Sequence, residues 1–419
     1  DISFEEEEEL EEDIAGLDES SSQVVKFVDQ VLVTAYRNQA SDIHVEPSSI
    51  TRKTTIRFRT DGVCHEYIQV PNAMAPAIVS RLKIMADLDI AERRLPQDGK
   101  IRFKRKGIPE FELRVSTMPT TGRFEDAVLR ILTKSGTLKL GELGLNERNL
   151  EVLKRCITRP YGLILCVGPT GSGKTTTLHS ALAGINEPGV KIWTAEDPVE
   201  ITQAGLRQVQ VKPKIGLDFA RIMRGFLRLD PDIIMIGEMR DRETAATAIE
   251  ASLTGHLVLS TLHTNNAPET LTRLLDMGMN PLNIADSFLA VLAQRLVRRL
   301  CQDCIETYQP QNDEFDYVVH DYGEKSFQGL GIENNSDFKL HRSLGCEKCN
   351  GSGYKGRMGI HELIEGTSGI KILIKKQATS QDLAKQAVND GMTSLKQDGV
   401  HKVFEGVTDM REVRRVCVE

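Results

Sequence analysis

The sequence predicts an α/β protein in which a small α+β part precedes a larger part built on a mainly parallel sheet. Three observations predict this. Two strand-like runs meet at Asp61-Gly62, a strong two-residue hairpin signal. From Leu145 onward, short apolar runs alternate with loops and helix-compatible stretches, the pattern of strands that cross over to parallel neighbours. One of those apolar runs leads through a glycine-rich loop into a helix-compatible stretch.

In chain order, the first feature is acidic. Residues 1–20 hold 11 of the 60 acidic groups and no Lys or Arg. The formal charge of −7 thus conceals a remainder with 53 positive against 49 negative groups, or +4. Such a run is expected to be a solvated linker or tail, here 1–22, either joined to a preceding domain or simply solubilising the chain. Val24, Val25, Val28, Leu32 and Ala35 recur at helical spacing, with Ser22 placed to cap the helix. Strands are predicted at 54–60 and 63–70, a helix over 75–87, and strands near 100–105 and 111–116. Helix, hairpin, helix and hairpin make one α+β domain, 23–134. Three glycines mark a linker at 135–144.

The second domain, 145–419, has predicted buried strands at 162–167, 191–194, 233–236 and 257–261. Residues 305–345 are polar and read as an irregular loop, and 350–419 read as a helical region. Hydrophobic residues at 40% and charged residues at 27% suit a globular protein with a sizeable core and exclude a collagen-like, disordered or disulfide-rich chain. No stretch approaches about 18 consecutive apolar residues, so no transmembrane helix is expected.

The loop Gly168, Pro169, Thr170, Gly171, Ser172, Gly173, Lys174, Thr175 fits G-x-x-x-x-G-K-[ST], with Thr176 opening the helix-compatible run. Glycines let backbone N–H groups converge on phosphates, and the helix N-terminus favours negative charge. Lys174 is expected to neutralise the β- and γ-phosphates, and the Thr175 hydroxyl to ligate Mg²⁺. The ligand is therefore a nucleotide. The apolar run 233–236 ends in Gly237-Glu238, where many such proteins carry an Asp; Glu238 is suited to polarise the attacking water.

Glu196 and Glu200 follow another predicted strand and suit the ordering of water or metal, although a surface charge cluster explains them equally well on spacing alone. His256 and His263 bracket the strand 257–261, and a His beside the γ-phosphate is suited to report its presence; a structural role is the other reading. Cys301, Cys304, Cys346 and Cys349 form two C-x-x-C pairs 41 residues apart. Four thiolates supply a closed tetrahedral Zn²⁺ site with no position for a substrate. That use of Cys fits a reducing compartment, so a cytoplasmic location is expected.

Basic residues gather at Arg93, Arg94, Lys100, Arg102, Lys104, Arg105 and Lys106, with Phe103 the single aromatic among them, too few to stack successive bases. Arg221, Arg224 and Arg228 fall at spacings compatible with one helical face, suited to phosphates or to a solvated surface.

Together these motifs resemble the type II/IV secretion ATPase family. The likeness rests on SDIHVEP at 41–47, AERRLPQDG at 91–99, LRVSTMP at 113–119, the phosphate loop, TAEDPVE at 194–200, GEMRD at 237–241, LTGHLVLSTLH at 253–263 and the paired cysteines. The resemblance implies a PAS-like N-terminal domain and a RecA-like ATPase domain with a tetracysteine zinc module at 301–349. It implies a homohexamer with ATP between domains and across subunit borders. It assigns an Asp box to Glu196 and Glu200, a Walker B role to Glu238 and a His box ending at His263. Arg114 and Arg130 match arginines that reach toward the nucleotide, as do Arg224 and Arg228. The segment 119–130 departs from the family pattern by one extra residue.

The expected function is thus an ATP-driven cytoplasmic motor, peripheral at the inner membrane, that drives pilin polymerisation through a membrane platform protein. Membrane association is expected only through partners, and no nucleic acid is expected. The alternatives are a type II secretion motor building a pseudopilus, a DNA-translocating ATPase, and a non-hydrolysing nucleotide-binding scaffold.

Overall fold

The computed structural model describes residues 17–132 and 137–417. The expected acidic tail lies outside them up to residue 16, as does part of the expected 135–144 linker. Two compact units follow, divided after Ser135.

In the first unit, helix α1 (Leu17–Arg37) starts ahead of Ser22, so the helix runs through the expected cap. Val24, Val28, Val31, Leu32 and Ala35 are buried at i, i+4, i+7, i+8 and i+11, one apolar face. Strands β1 (Asp42–Ser48), β2 (Lys53–Thr60) and β3 (Val63–Pro71) precede α2 (Ala75–Met85). Strands β4 (Gln97–Arg105), β5 (Ile108–Pro119) and β6 (Glu125–Leu132) complete an antiparallel sheet in the order β3-β2-β1-β6-β5-β4. Asp61 and Gly62 both take positive φ in the β2–β3 turn, as a two-residue hairpin turn of this hand requires. The two-hairpin expectation omitted β1 and β6. They lie mid-sheet and join the hairpins, which local patterning does not disclose.

The second unit opens with α3 (Glu147–Ile157) and β7 (Gly162–Val167), then α4 (Lys174–Ala183) and β8 (Ile192–Glu196). It continues through β9 (Leu206–Gln210), α5 (Phe219–Phe226), β10 (Ile233–Ile236), α6 (Arg242–Leu253), β11 (Leu257–Leu262), α7 (Ala267–Asp276), α8 (Pro281–Ser287) and β12 (Phe288–Leu300). The sheet order is β15-β12-β7-β11-β10-β8-β9, with β15 (Tyr354–Glu365) antiparallel at one edge and the rest parallel. Successive residues of β7 enter opposite cores: Leu163, Leu165 and Val167 on one face, Ile164 and Cys166 on the other. Burial on both faces explains why the central strands read as continuous apolar runs.

Two expectations are corrected in this unit. Residues 305–345 are not an irregular loop. They hold β13 (Ile305–Tyr308), α9 (Asn312–Tyr322), α10 (Glu324–Gln328) and β14 (Leu340–Ser343). These pack a core of their own around Phe315, Val318, Tyr322, Phe327 and Phe338, joined by Val400, Val403 and Val413. Residues 350–419 are not wholly helical either. Strand β15 precedes α11 (Ser368–Lys375), α12 (Ser380–Asn389), α13 (Leu395–Phe404) and α14 (Met410–Val416), held in place by its pairing with β12.

Candidate functional site

Strands β7, β11, β10 and β8 are neighbours in the sheet, and the loops at their C-terminal ends carry the sequence-predicted groups. This is the edge where open α/β sheets bind ligands. Residues 168–173 connect β7 to α4, whose first residue is Lys174. Gly173 caps the helix with a φ of 87°, in the left-handed region where glycine carries no Cβ penalty. Pro169, Thr170 and Gly171 are exposed, Ser172 is buried, and Thr175 and Thr176 are half-buried on the first turn. The Lys174 ammonium donates to the carbonyls of Gly168 (2.8 Å) and Pro169 (3.0 Å). Burial pushes its pKa down from the usual lysine value, while the Glu238 carboxylate lies near enough to pull the other way.

Glu238 follows β10 by one glycine. The Gly237 N–H donates to the Ala195 carbonyl on β8 at 2.7 Å, and the Thr261 hydroxyl of β11 donates to the Gly237 carbonyl at 2.6 Å. A Cβ at 237 would stand 3.2 Å from that Ala195 oxygen, so the strand end is pinned with little space for a side chain. The next side chain is presented instead. Glu238 Oε1 lies 2.9 Å from His263 Nε2, and Arg240 Nε donates to Oε2 at 2.8 Å. A carboxylate oxygen has two acceptor positions, so each keeps one for a water proton. The structure therefore brings Lys174, Glu238 and His263 into one neighbourhood. Arg240, two residues beyond Glu238, joins them without having been singled out by any spacing rule.

Glu196 is placed differently from an open edge carboxylate. It is 3% exposed, and accepts from Thr194 Oγ1 (2.7 Å) and Gln208 Nε2 (3.0 Å) and lies 3.0 Å from His179 Nε2. Burial opposes its ionisation, but the donors from His179, Thr194 and Gln208 outweigh burial and hold its carboxyl below the usual range. Gln203 Nε2 donates to the His179 carbonyl at 3.0 Å and faces Nδ1 at 2.7 Å. An amide N–H facing Nδ1 makes that nitrogen the acceptor, which leaves the ring proton on Nε2, pointing at Glu196. Glu200, in contrast, is exposed.

The arginine expectations divide. Arg114 and Arg130 are register partners on β5 and β6, and Arg130 Nε donates to the buried Asp42 at 2.9 Å. Arg224 pairs with Glu243. The one-face helix of three arginines is corrected, because α5 ends at Phe226 and leaves Arg228 beyond it. Four members of the basic strip face carboxylates: Arg94 with Glu92, Arg102 with Glu112, Lys104 with Glu110 and Arg105 with Asp29.

The sulfurs of Cys301, Cys304, Cys346 and Cys349 all lie within 4.8 Å of one another. The pairs 301–346, 304–349 and 346–349 are 3.9, 3.9 and 3.7 Å apart. Tetrahedral zinc with Zn–S of ~2.3 Å sets its sulfurs ~3.8 Å apart, so the donor set fits that ion. Burial raises the Cys349 thiol, but the N–H groups of Cys346 and Gly353 donate to it and bring it to about 6. Burial pushes the Cys301 and Cys304 thiols of the same cluster the other way, upward.

A phosphate loop at the head of a buried parallel strand, facing a carboxylate on a strand nearby, is the arrangement of a P-loop nucleotide hydrolase. The family model described as "Type II/IV secretion system protein" matches residues 18–415, and the chain belongs to that family. It is similar to the type IV pilus assembly ATPase PilB of Myxococcus xanthus, 46% identical over 413 residues that cover 98% of this chain and 70% of that protein. It is also similar to the type II secretion system protein E of Pseudomonas aeruginosa, 44% identical over 402 residues covering 96% and 77%. Among solved structures, the ATPase DotB of Legionella pneumophila superposes with a TM-score of 0.66 at 20% identity, covering 93% of this chain and 95% of that one. The pilus retraction motor PilT with bound ADP gives 0.61 at 23%, covering 93% and 97%. At those identities the structures speak to the fold. The chain is an ATP-hydrolysing enzyme with a RecA-like ATPase fold and a tetracysteine module.

Proposed function

We propose that the chain is the ATPase of a homohexameric motor that drives pilin polymerisation in type IV pilus assembly. The observation that carries this reading is the 46% identity to a pilus assembly ATPase over 98% of the chain. Glu238 takes the proton of the attacking water, with His263 and Arg240 holding its carboxylate in position. Lys174 exchanges its bonds to the loop carbonyls for the β- and γ-phosphates. The backbone from Gly168 to Gly173, with Thr176, cradles the phosphate chain, and Thr175 would hold Mg²⁺, which supplies charge neutralisation there. Glu200 orders the reacting water, and Glu196 keeps the loop that carries it in register. Arg114, Arg130, Arg224 and Arg228 serve the nucleotide's phosphates; the family pattern alone supports that part.

Zn²⁺ held by Cys301, Cys304, Cys346 and Cys349 would be a closed structural cross-link. The motor works at the cytoplasmic face of the inner membrane, through a platform protein there and without nucleic acid. In support, no described helix is long and apolar enough to cross a membrane.

The 44% identity to a type II secretion protein favours a second reading, in which the polymer is a pseudopilus. Complementation separates the two. In bacteria lacking their own pilus assembly ATPase or their own type II secretion ATPase, the full protein should restore surface pili. Restoration of secretion alone would transfer the assignment to the second reading.

A further inference from the structure

One strand beside the site contributes a residue that no motif assigns. Strand β12 runs parallel to β7 with Ala293 opposite Val167, so Gln294 arrives where the phosphate loop leaves the sheet. Its side chain is buried, 3% exposed. The carboxamide divides between the two ends of the loop's exit. Nε2 donates to the Ser172 carbonyl at 2.7 Å, and Oε1 accepts from the Thr177 hydroxyl at 2.6 Å. A carbonyl can only accept, so the amide nitrogen must be the atom that faces Ser172, which fixes the orientation of the whole group.

The consequence for the loop follows from peptide geometry. In a planar trans peptide the C=O and the following N–H point in opposite directions. Aiming the Ser172 carbonyl at β12 therefore turns the Gly173 N–H away from β12. Gln294 also accounts for two of the glycines. A Cβ at Gly168 would stand 2.5 Å from the Gln294 backbone oxygen, and one at Gly173 would stand 2.7 Å from its Nε2. The next residue extends the contact, since Arg295 Nη2 donates to the Asn265 carbonyl at 2.7 Å, two residues past His263.

We infer that Gln294 is a positioning residue for ATP hydrolysis: it holds the phosphate loop in its binding geometry from the neighbouring strand, so that little ordering is left for the nucleotide to impose. This rests on the assignment of residues 168–175 as the nucleotide site. The test is Gln294→Glu, the same shape with no N–H to offer Ser172. The dissociation constant of a fluorescent ADP analogue, the KM for ATP, kcat and the circular dichroism spectrum are measured together.

A folded variant should bind the analogue about tenfold more weakly, with KM raised by a similar factor, because a buried acceptor loses its donor. A residue that matters only for folding would instead reduce the active fraction, lowering kcat with KM and the dissociation constant unchanged. That result overturns the inference. If Gln294→Glu does not fold, Thr177→Val removes the other half of the clamp and should weaken the analogue about threefold; unchanged affinity there overturns it equally. Failure of the unsubstituted chain to bind the analogue would overturn the nucleotide site itself, and is distinguishable because the parent protein alone shows it.

Discussion

Glu412→Gln should destabilise the second unit by about 3 kcal/mol at neutral pH, and the loss should shrink as the pH falls. Glu412 lies in the first turn of α14 and is fully buried. Its carboxylate receives the Arg298 N–H at 2.9 Å and Arg298 Nη2 at 2.7 Å, with Arg415 Nη2 at 2.7 Å and Nε at 3.0 Å. Burial opposes the charge, but the donors from Arg415 and Arg298 prevail and hold the carboxyl at about 2, against 4.5 ordinarily.

At 1.36 kcal/mol per pH unit, that depression is worth about 3 kcal/mol. An independent estimate for breaking a buried pair by removing one partner, about 3–5 kcal/mol, brackets the same figure. A carboxyl with a depressed pKa contributes fully above its unfolded value and loses the contribution as pH falls through the folded one. The gap between parent and variant should therefore be full at pH 7 and about half as large near pH 3. Trp193, the single tryptophan, lies in the second unit and reports its urea unfolding by fluorescence. A gap below about 1 kcal/mol at pH 7, the range of an exposed ion pair, or a gap that widens in acid, would refute the reasoning.

Three further outcomes are expected. Metal analysis should find about one zinc per chain, and Cys346→Ser should lower it sharply, because three thiolates no longer close the tetrahedron; undiminished zinc would place the ion elsewhere. In the first unit, Lys83→Met should cost about 3–5 kcal/mol by stranding Glu125, whose carboxylate sits 2.5 Å from the buried Lys83 ammonium. Hydrogen exchange across β6 should rise accordingly, and rise less in Lys83→Met combined with Glu125→Leu. ATP turnover should be indifferent to DNA at low salt, since much of the basic strip is already paired; strong stimulation would revive a translocase.

The groups that follow from local pattern were legible in the sequence. The Gly162–Val167 and Ile233–Ile236 strands are apolar because both faces are covered, and the phosphate loop is short and contiguous. The groups that depend on distant pairing were not. Strand β12 is an apolar run to Ala293 followed by Arg295, Arg298 and Arg299 at spacings that also suit a helix, and its pairing with β7 and β15 decides the matter. Gln294 and His179 carry no signature because each acts on a partner chosen by the fold, whereas Arg240 lies within the GEMRD run, two residues from its partner Glu238. The 305–345 segment reads as a loop because its polar majority hides Phe315, Val318 and Tyr322, which share one face of a helix.

The most direct test of the central claim is steady-state ATP hydrolysis by the parent chain and by Glu238→Gln, with ADP affinity measured on both. The account predicts unchanged affinity and a turnover reduced by about 10²-fold or more, the range lost with a general base. Turnover within a few-fold of the parent would show that Glu238 is not the carboxylate that activates water.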